Sequence, residues 1–355
     1  MKIYTTPLFF VLIFSLIIIR IVPVQANPAL DTTVETDKQR YRVKDTVQVY
    51  GNLTLDGVSV TDGLVGLQIQ TSQDQLIMIR TLSTGNPPPE TPYVFLEYVA
   101  PCDPTGNPKF SFLRGTLGYF KISIANLDME PRNASMTVNT YYADNTPFGF
   151  AAIQTTLAKS SNPTFIISIP IPADAVLGTA NAYANAYTDM PKLAGTPYCS
   201  EVNATFQITD SYSLTASQTT QSIRSTFQQT NDTGNFNLTF SLPTKTPHGN
   251  CTVYVTSRYL GESIFNSTTF EVVILGDLGS PVNYVPTFLV FDGKVDGYDL
   301  ALFIQCYKKL GPPEAMYLAD LGGPINYVPT FFAYDGKVDG YDLALFIQCY
   351  KGLAP

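Results

Sequence analysis

The chain has 355 residues, of which 14% are charged and 12% aromatic, with 29 acidic against 21 basic side chains. That length divides into two to four domains of ordinary size. The acidic excess, with no dense run of Lys and Arg, argues against a phosphate-tracking surface, so nucleic acid is not an expected partner.

The N-terminus carries the pattern of an export signal. Lys2 opens it, Pro7 to Ile19 is apolar, and Val24-Gln25-Ala26 offers small residues for cleavage before Asn27. Residues 1–26 are therefore expected to be removed. An uncleaved anchor is the alternative, although Arg20 leaves the run shorter than the roughly 20 residues a spanning helix needs. After cleavage no membrane span is expected, and the protein is placed outside the cell or on its surface. Sequons at Asn52, Asn133, Asn203, Asn231, Asn237, Asn250 and Asn266 agree with export. Glycans there would mark exposed strand ends and loops.

From Asn27 to about Leu275 the chain is a succession of short runs with period two, such as Val47-Val49, Val65-Leu67-Ile69, Phe120-Ile122-Ile124 and Phe236-Leu238-Phe240. Turn clusters such as Asp56-Gly57 and Asp62-Gly63 separate them. This pattern predicts antiparallel β-sandwiches, and the fold class is mainly β. Composition breaks place the modules at 27–114, 115–210 and 211–275. Thr36-Asp37-Lys38, Tyr41, Asp45-Thr46-Val47 and Gly51 together resemble the opening of macroglobulin-type Ig-like domains. Between Ala180 and Tyr187, alanines alternate with Asn181, Tyr183, Asn185 and Tyr187. An ordinary sheet surface is expected there, with a sugar-stacking face as the alternative.

The last 80 residues are built differently. Asp277 to Leu310 recurs at Asp320 to Leu353, with 28 of 34 positions identical. Such a duplication predicts two copies facing each other across a pseudo-two-fold axis. Each copy contains Asp-Gly-Lys-Val-Asp-Gly-Tyr-Asp before an apolar, helix-like segment. A hard cation needs six to eight oxygens, and this spacing supplies them. In the first copy the candidate ligands are Asp277, Asp292, the Lys294 carbonyl, Asp296 and Asp299. In the second they are Asp320, Asp335, the Lys337 carbonyl, Asp339 and Asp342. The competing reading is a pair of Asp-Gly turns in which Asp299 and Asp342 are helix N-caps. Residues 277–355 hold nine acidic side chains, eight of them these aspartates; such crowding favours a neutralising cation.

The C-terminal unit, 276–355, resembles the dockerin family, whose duplicated EF-hand-type loops end in Asp and run directly into a helix. The resemblance implies a small α-helical module, calcium as its ion, and docking onto a cohesin-type or other cell-surface protein. It also implies partner contacts at Gly297, Tyr298, Gly340 and Tyr341. Twelve residues, Ser280 to Phe291, stand where the family has one, so Asp277 is either held beside the other carboxylates or removed from them. Five cysteines leave pairing open: Cys306 with Cys349 and Cys102 with Cys199 are candidate bridges, and small buried residues are the alternative. His248, the only histidine, lies in a turn without a nucleophile partner, and the glutamates are scattered. No catalytic residue is nominated. The expected function is a secreted or cell-surface, non-catalytic structural or adhesion protein. The alternative is a carbohydrate-binding accessory component of an extracellular polysaccharide-degrading complex.

Overall fold

The computed structural model describes residues 29–85, 92–210 and 234–353, so the expected signal segment 1–26 and the sequon at Asn231 lie outside the described residues. Among the described residues no helix is long and apolar enough to cross a membrane.

The chain is mainly β. One sandwich faces the sheet of Leu30–Thr32, Thr46–Leu55 and Asn235–Ser241, with Glu35–Thr36 and Val58–Ser59 on its flank, against a second sheet. That second sheet runs Arg40–Tyr41, Glu262–Val272, Gly249–Tyr259, Leu64–Thr71, Leu76–Ser83. Registers such as Val47 opposite Phe240 and Val255 opposite Leu67 align the apolar residues. They meet in one core with Val49, Ile69, Leu238, Val253 and Phe270.

The other sandwich lies entirely between residues 94 and 209. It pairs the sheet Thr164–Pro170, Leu117–Asn126, Val94–Cys102 with the sheet Pro147–Leu157, Arg132–Tyr142, Gly178–Tyr187, Val202–Thr209, Ser111–Leu113. Phe112, Phe120 and Phe206 fill its centre, with ring centroids 5.3–5.7 Å apart.

The modular plan of 27–114, 115–210 and 211–275 is thereby corrected. The last of these makes no sandwich of its own. Its strands complete the first sandwich, and the second is inserted into it. Val94–Cys102 and Ser111–Leu113 belong to the inserted unit rather than to the first. Period two reports which face of a strand is apolar, not which strand lies beside it. Of the six described sequons, Asn133, Asn203 and Asn250 stand at strand ends as expected, whereas Asn52, Asn237 and Asn266 lie further inside strands.

Strand Leu64–Thr71 is buried on both faces. One face enters the core, while Gly66, Gln68 and Gln70 turn toward the inserted sandwich. Tyr187 of the Asn/Tyr stripe covers Gly66, Lys192 N–H donates to Gln68 Oε1 at 3.1 Å, and Tyr183 lies against Arg80, so this part of the stripe is a seam between sandwiches rather than an open sheet surface or a sugar face. Tyr187 is fully buried; its hydroxyl donates to the Arg80 carbonyl at 2.7 Å and accepts from Thr81 Oγ1 at 2.9 Å. The Ala180, Ala182, Ala184 and Ala186 row faces the opposite way, into the inserted core. A β-carbon at Gly66 would stand 2.8 Å from Tyr187 Cε1 and 2.9 Å from Thr256 Oγ1. Gly66→Val is therefore expected to cost about 1–3 kcal/mol by forcing the seam apart. A lower denaturant midpoint at unchanged slope is the signature to look for.

Candidate cation-binding loops

The C-terminal unit begins five residues after Glu262–Val272 ends. Each copy has the same parts in the same order. The first has a hairpin, Gly279–Val282 with Val285–Phe288, then the Asp-Gly turn, then helix α1, Gly297–Tyr307. A short helix α2, Pro313–Ala319, leads into the second hairpin, Gly322–Ile325 with Val328–Phe331, and helix α3, Gly340–Tyr350. Phe303 of α1 packs on Phe346 of α3 with centroids 4.7 Å apart, in a core with Leu278, Leu302, Leu321 and Leu345.

The hairpin settles what the twelve-residue segment does. Leu289 N–H donates to the Leu278 carbonyl at 2.9 Å, and Phe332 N–H to the Leu321 carbonyl at 3.0 Å. The excursion leaves and returns at one point, so Asp277 stays beside the turn of Asp292. Its Oδ2 accepts from Gly293 N–H at 2.9 Å, and Asp320 Oδ2 accepts from Gly336 N–H at the same distance. The hairpin's tip does not bury itself. Asn283-Tyr284 and Asn326-Tyr327 are two-residue turns with both φ values positive, the I′ geometry, and each tyrosine is 92% exposed.

Asp299 closes the first loop from inside. Its Oδ1 accepts from Leu278 and Gly279 N–H at 2.8 and 3.1 Å, and its Oδ2 from Asp296 N–H at 2.8 Å. Asp342 repeats these bonds with Leu321, Gly322 and Asp339. The N-caps are Asp296 and Asp339, which accept from Tyr298 and Tyr341 N–H at 2.8 Å. Asp299 and Asp342 stand three residues further on and complete a capping box, so the competing reading that made them the caps is corrected. Asp292 and Asp335 are exposed, each accepting from the N–H of the lysine two residues on, Lys294 and Lys337. Gly297 and Gly340 are exposed, with open space where a β-carbon would stand, while Tyr298 and Tyr341 are half-buried.

Burial raises the pKa of all four inner carboxyls. Asp277 is pushed up to about 7 by desolvation, with the charges of Asp299 and Asp292 adding to the shift against the Gly293 bond. Asp342 rises to about 6 for the same first reason, and Asp299 and Asp320 shift in the same direction. Asp277 Oδ1 and Asp320 Oδ1 are buried and have no hydrogen-bond partner. A buried acceptor without a donor is costly, and a cation at that atom would satisfy it. The donor set, all carboxylate and carbonyl oxygen, suits calcium. Among the described residues no three such side chains form a ready-made metal cage. Asp292 and Asp296, or Asp335 and Asp339, would have to turn inward to complete one.

All five cysteines are buried free thiols, so neither candidate bridge is formed. Desolvation pushes Cys199 and Cys306 up to about 11 and Cys251 and Cys349 up to about 12, which leaves them unreactive near neutral pH. His248 is exposed. What the sequence reading passed over is Lys38, Arg40, Arg42 and Lys44, basic residues at every second position, and the buried pair Arg80 and Glu201. Regular spacing of charge in a chain so poor in it was the available signal.

No family model matches the chain, and no curated protein matches it. Solved structures overlap it weakly. The cycloisomaltooligosaccharide glucanotransferase of Paenibacillus sp. has 9% identity and a TM-score of 0.26, over 33% of this chain and 14% of that one. The C-terminal domain of wzt has 11% identity and a TM-score of 0.28, over 37% of this chain and 86% of that domain. A Bacteroides uniformis β-glucuronidase has 11% identity and a TM-score of 0.26, over 46% of this chain and 26% of the enzyme. Likeness at this level carries nothing about activity, ligand or partner.

Proposed function

We propose that the C-terminal repeat binds two calcium ions and docks a secreted or cell-surface, non-catalytic protein onto a cohesin-type partner, with the sandwiches as a rigid spacer. The observation that carries the reading is the pair of buried, partnerless oxygens, Asp277 Oδ1 and Asp320 Oδ1, at the same position of both copies. In each copy Asp277 or Asp320 would hold the ion with the two exposed or half-exposed aspartates of the turn. Asp299 and Asp342 keep the loop closed around it. The outward side of each helix and the residues just past its end support docking: Ile304, Tyr307 and Leu310 recur as Ile347, Tyr350 and Leu353, all six exposed. The carbohydrate-binding alternative loses its sugar face to the seam.

Calorimetric titration of the chain with calcium tests the ion. A dissociation constant of roughly 10⁻⁶ to 10⁻⁴ M is expected, between those of sensor loops and of extracellular modules. The affinity should also depend on pH. Without the ion, Asp277 holds a proton up to about pH 7, and calcium must displace it. Affinity therefore falls as pH drops from 8 to 5.5, with protons released on binding. No calcium heat at pH 8 ends the calcium reading. Docking is tested separately by binding cohesin-type domains with and without calcium, and calcium-independent or absent binding ends that part.

A further inference from the structure

Residues 38–44 run past the C-terminal repeat, and each basic side chain meets a ring of it. Lys38 Nζ lies 4.3 Å from the Tyr317 ring centre, Arg40 Cζ 5.1 Å from Phe291, and Lys44 Nζ 4.5 Å from Phe332. Arg42 Cζ is between two rings, 4.0 Å from Tyr317 and 3.8 Å from Tyr334. Meanwhile Tyr41 is buried in the first sandwich. Arg40 also pairs with Glu271 and Glu314, both at 3.0 Å.

Arg42 is the deepest of the four, 2% exposed. It donates to the carbonyls of Tyr317, at 2.6 Å, and Asp320. Asp45 stands 3.5 Å from the guanidinium, neutralises it, and accepts from the Tyr317 hydroxyl. Asp320 opens the second loop. The first copy has no equivalent contact to Asp277 among the described hydrogen bonds, and its residues at the corresponding positions are Ile274 and Phe291 in place of Tyr317 and Tyr334. Three of the six differences between the copies fall together at 289–291 and 332–334, the stretch that carries Phe332 and Tyr334.

We infer that Arg42 is a positioning residue for the second loop: it ties the Asp320 backbone to the first sandwich, so that calcium in that loop and seating of the repeat strengthen each other. This rests on the calcium reading above. A loop whose first residue is already held gives up less freedom when it closes on an ion. Because coupling is reciprocal, the ion must then hold the repeat more firmly on the sandwich. The first loop has no such tie, and the two sites are unequal.

The test titrates calcium into the full chain calorimetrically, with Asp277→Asn to silence the first loop or Asp320→Asn to silence the second. In each background Arg42 and Asp45 are replaced together, R42M with D45N, which leaves the net charge unchanged. The second loop is expected to lose about tenfold in affinity, the change that one hydrogen bond to a charged group corresponds to, and the first loop to lose none. Tyr317→Leu, which keeps both charges and both carbonyl acceptors but removes the ring and hydroxyl that hold Arg42 and Asp45, serves as an independent variant should the pair fail to fold, with a smaller loss in the same direction expected. Small-angle scattering supplies a second readout: chelation should enlarge wild type, and the variants should be enlarged with calcium present. Unchanged second-loop affinity in both variants overturns the coupling and leaves the calcium reading standing. No calcium heat from wild type overturns both.

Discussion

Replacing both Asp299 and Asp342 by alanine is expected to unfold residues 277–353 while both sandwiches stay folded. Each carboxylate accepts three backbone N–H bonds inside the unit, and both are almost wholly buried. Alanine leaves those donors buried without acceptors, at about 1–3 kcal/mol each. One of the three bonds in each copy is the capping-box bond to the N-cap N–H, so the start of each helix loosens with it. Against the few kcal/mol that stabilise a unit of this size, two such losses are decisive. The bonds are internal, so the effect appears in chelator as well as in calcium. Saturating calcium at about 100 times its dissociation constant adds only about 2.7 kcal/mol per site. Loss of the far-ultraviolet helical signal, with proteolysis confined to the C-terminal unit, is the expected result. A resistant, helical double variant would show that these carboxylates do not hold the loops. Asp277→Asn should behave oppositely. It removes a buried charge that burial opposes, so it stabilises the calcium-free unit and weakens the calcium-bound one.

Glu201→Ala is expected to cost about 3–5 kcal/mol and to loosen the inserted sandwich from the first, because it strands Arg80 in the seam. The pair is well enclosed, with side chains 12% and 8% exposed. Arg80 Nε donates to Glu201 Oε2 at 2.9 Å, Thr81 N–H reaches the same oxygen at 3.2 Å, and the guanidinium lies 3.6 Å from the Tyr183 ring centre. Burial lowers the Arg80 pKa and Glu201 raises it; when Glu201 is removed, the guanidinium still stays charged near neutral pH because arginine's own pKa lies so far above it. Replacing both partners together, Arg80→Met with Glu201→Leu, should recover much of the loss, since no lone charge remains buried. Denaturant melts of the wild type and the two variants make the comparison. A single variant as stable as wild type would mean that water already reaches the seam.

The sequence by itself determined the strands, the repeat and the loops. Val47, Val49, Phe236, Leu238 and Phe240 point inward because period two leaves them no alternative once one face is buried. The 43-residue repeat and the Asp-Gly spacing placed helices α1 and α3 at the apolar runs that follow the turns, since a turn followed by an apolar helical run is a local matter. Tertiary structure decided everything that depends on a partner from elsewhere in the chain. Thr46–Leu55 pairs with Asn235–Ser241 across the whole inserted sandwich, and no local pattern names a partner at that distance. Asn185 and Tyr187 read as a sheet surface because they are polar, yet both are buried, as are Gln68 and Gln70 on the strand of Gly66 that Tyr187 covers. Asp277 stays with Asp292 only because the residues between them close into a hairpin, and Arg42 reads as an ordinary surface charge until Tyr317, Tyr334 and the Asp320 carbonyl enclose it. A buried polar group needs a satisfied neighbour, and in this chain those neighbours come from a different unit of the fold.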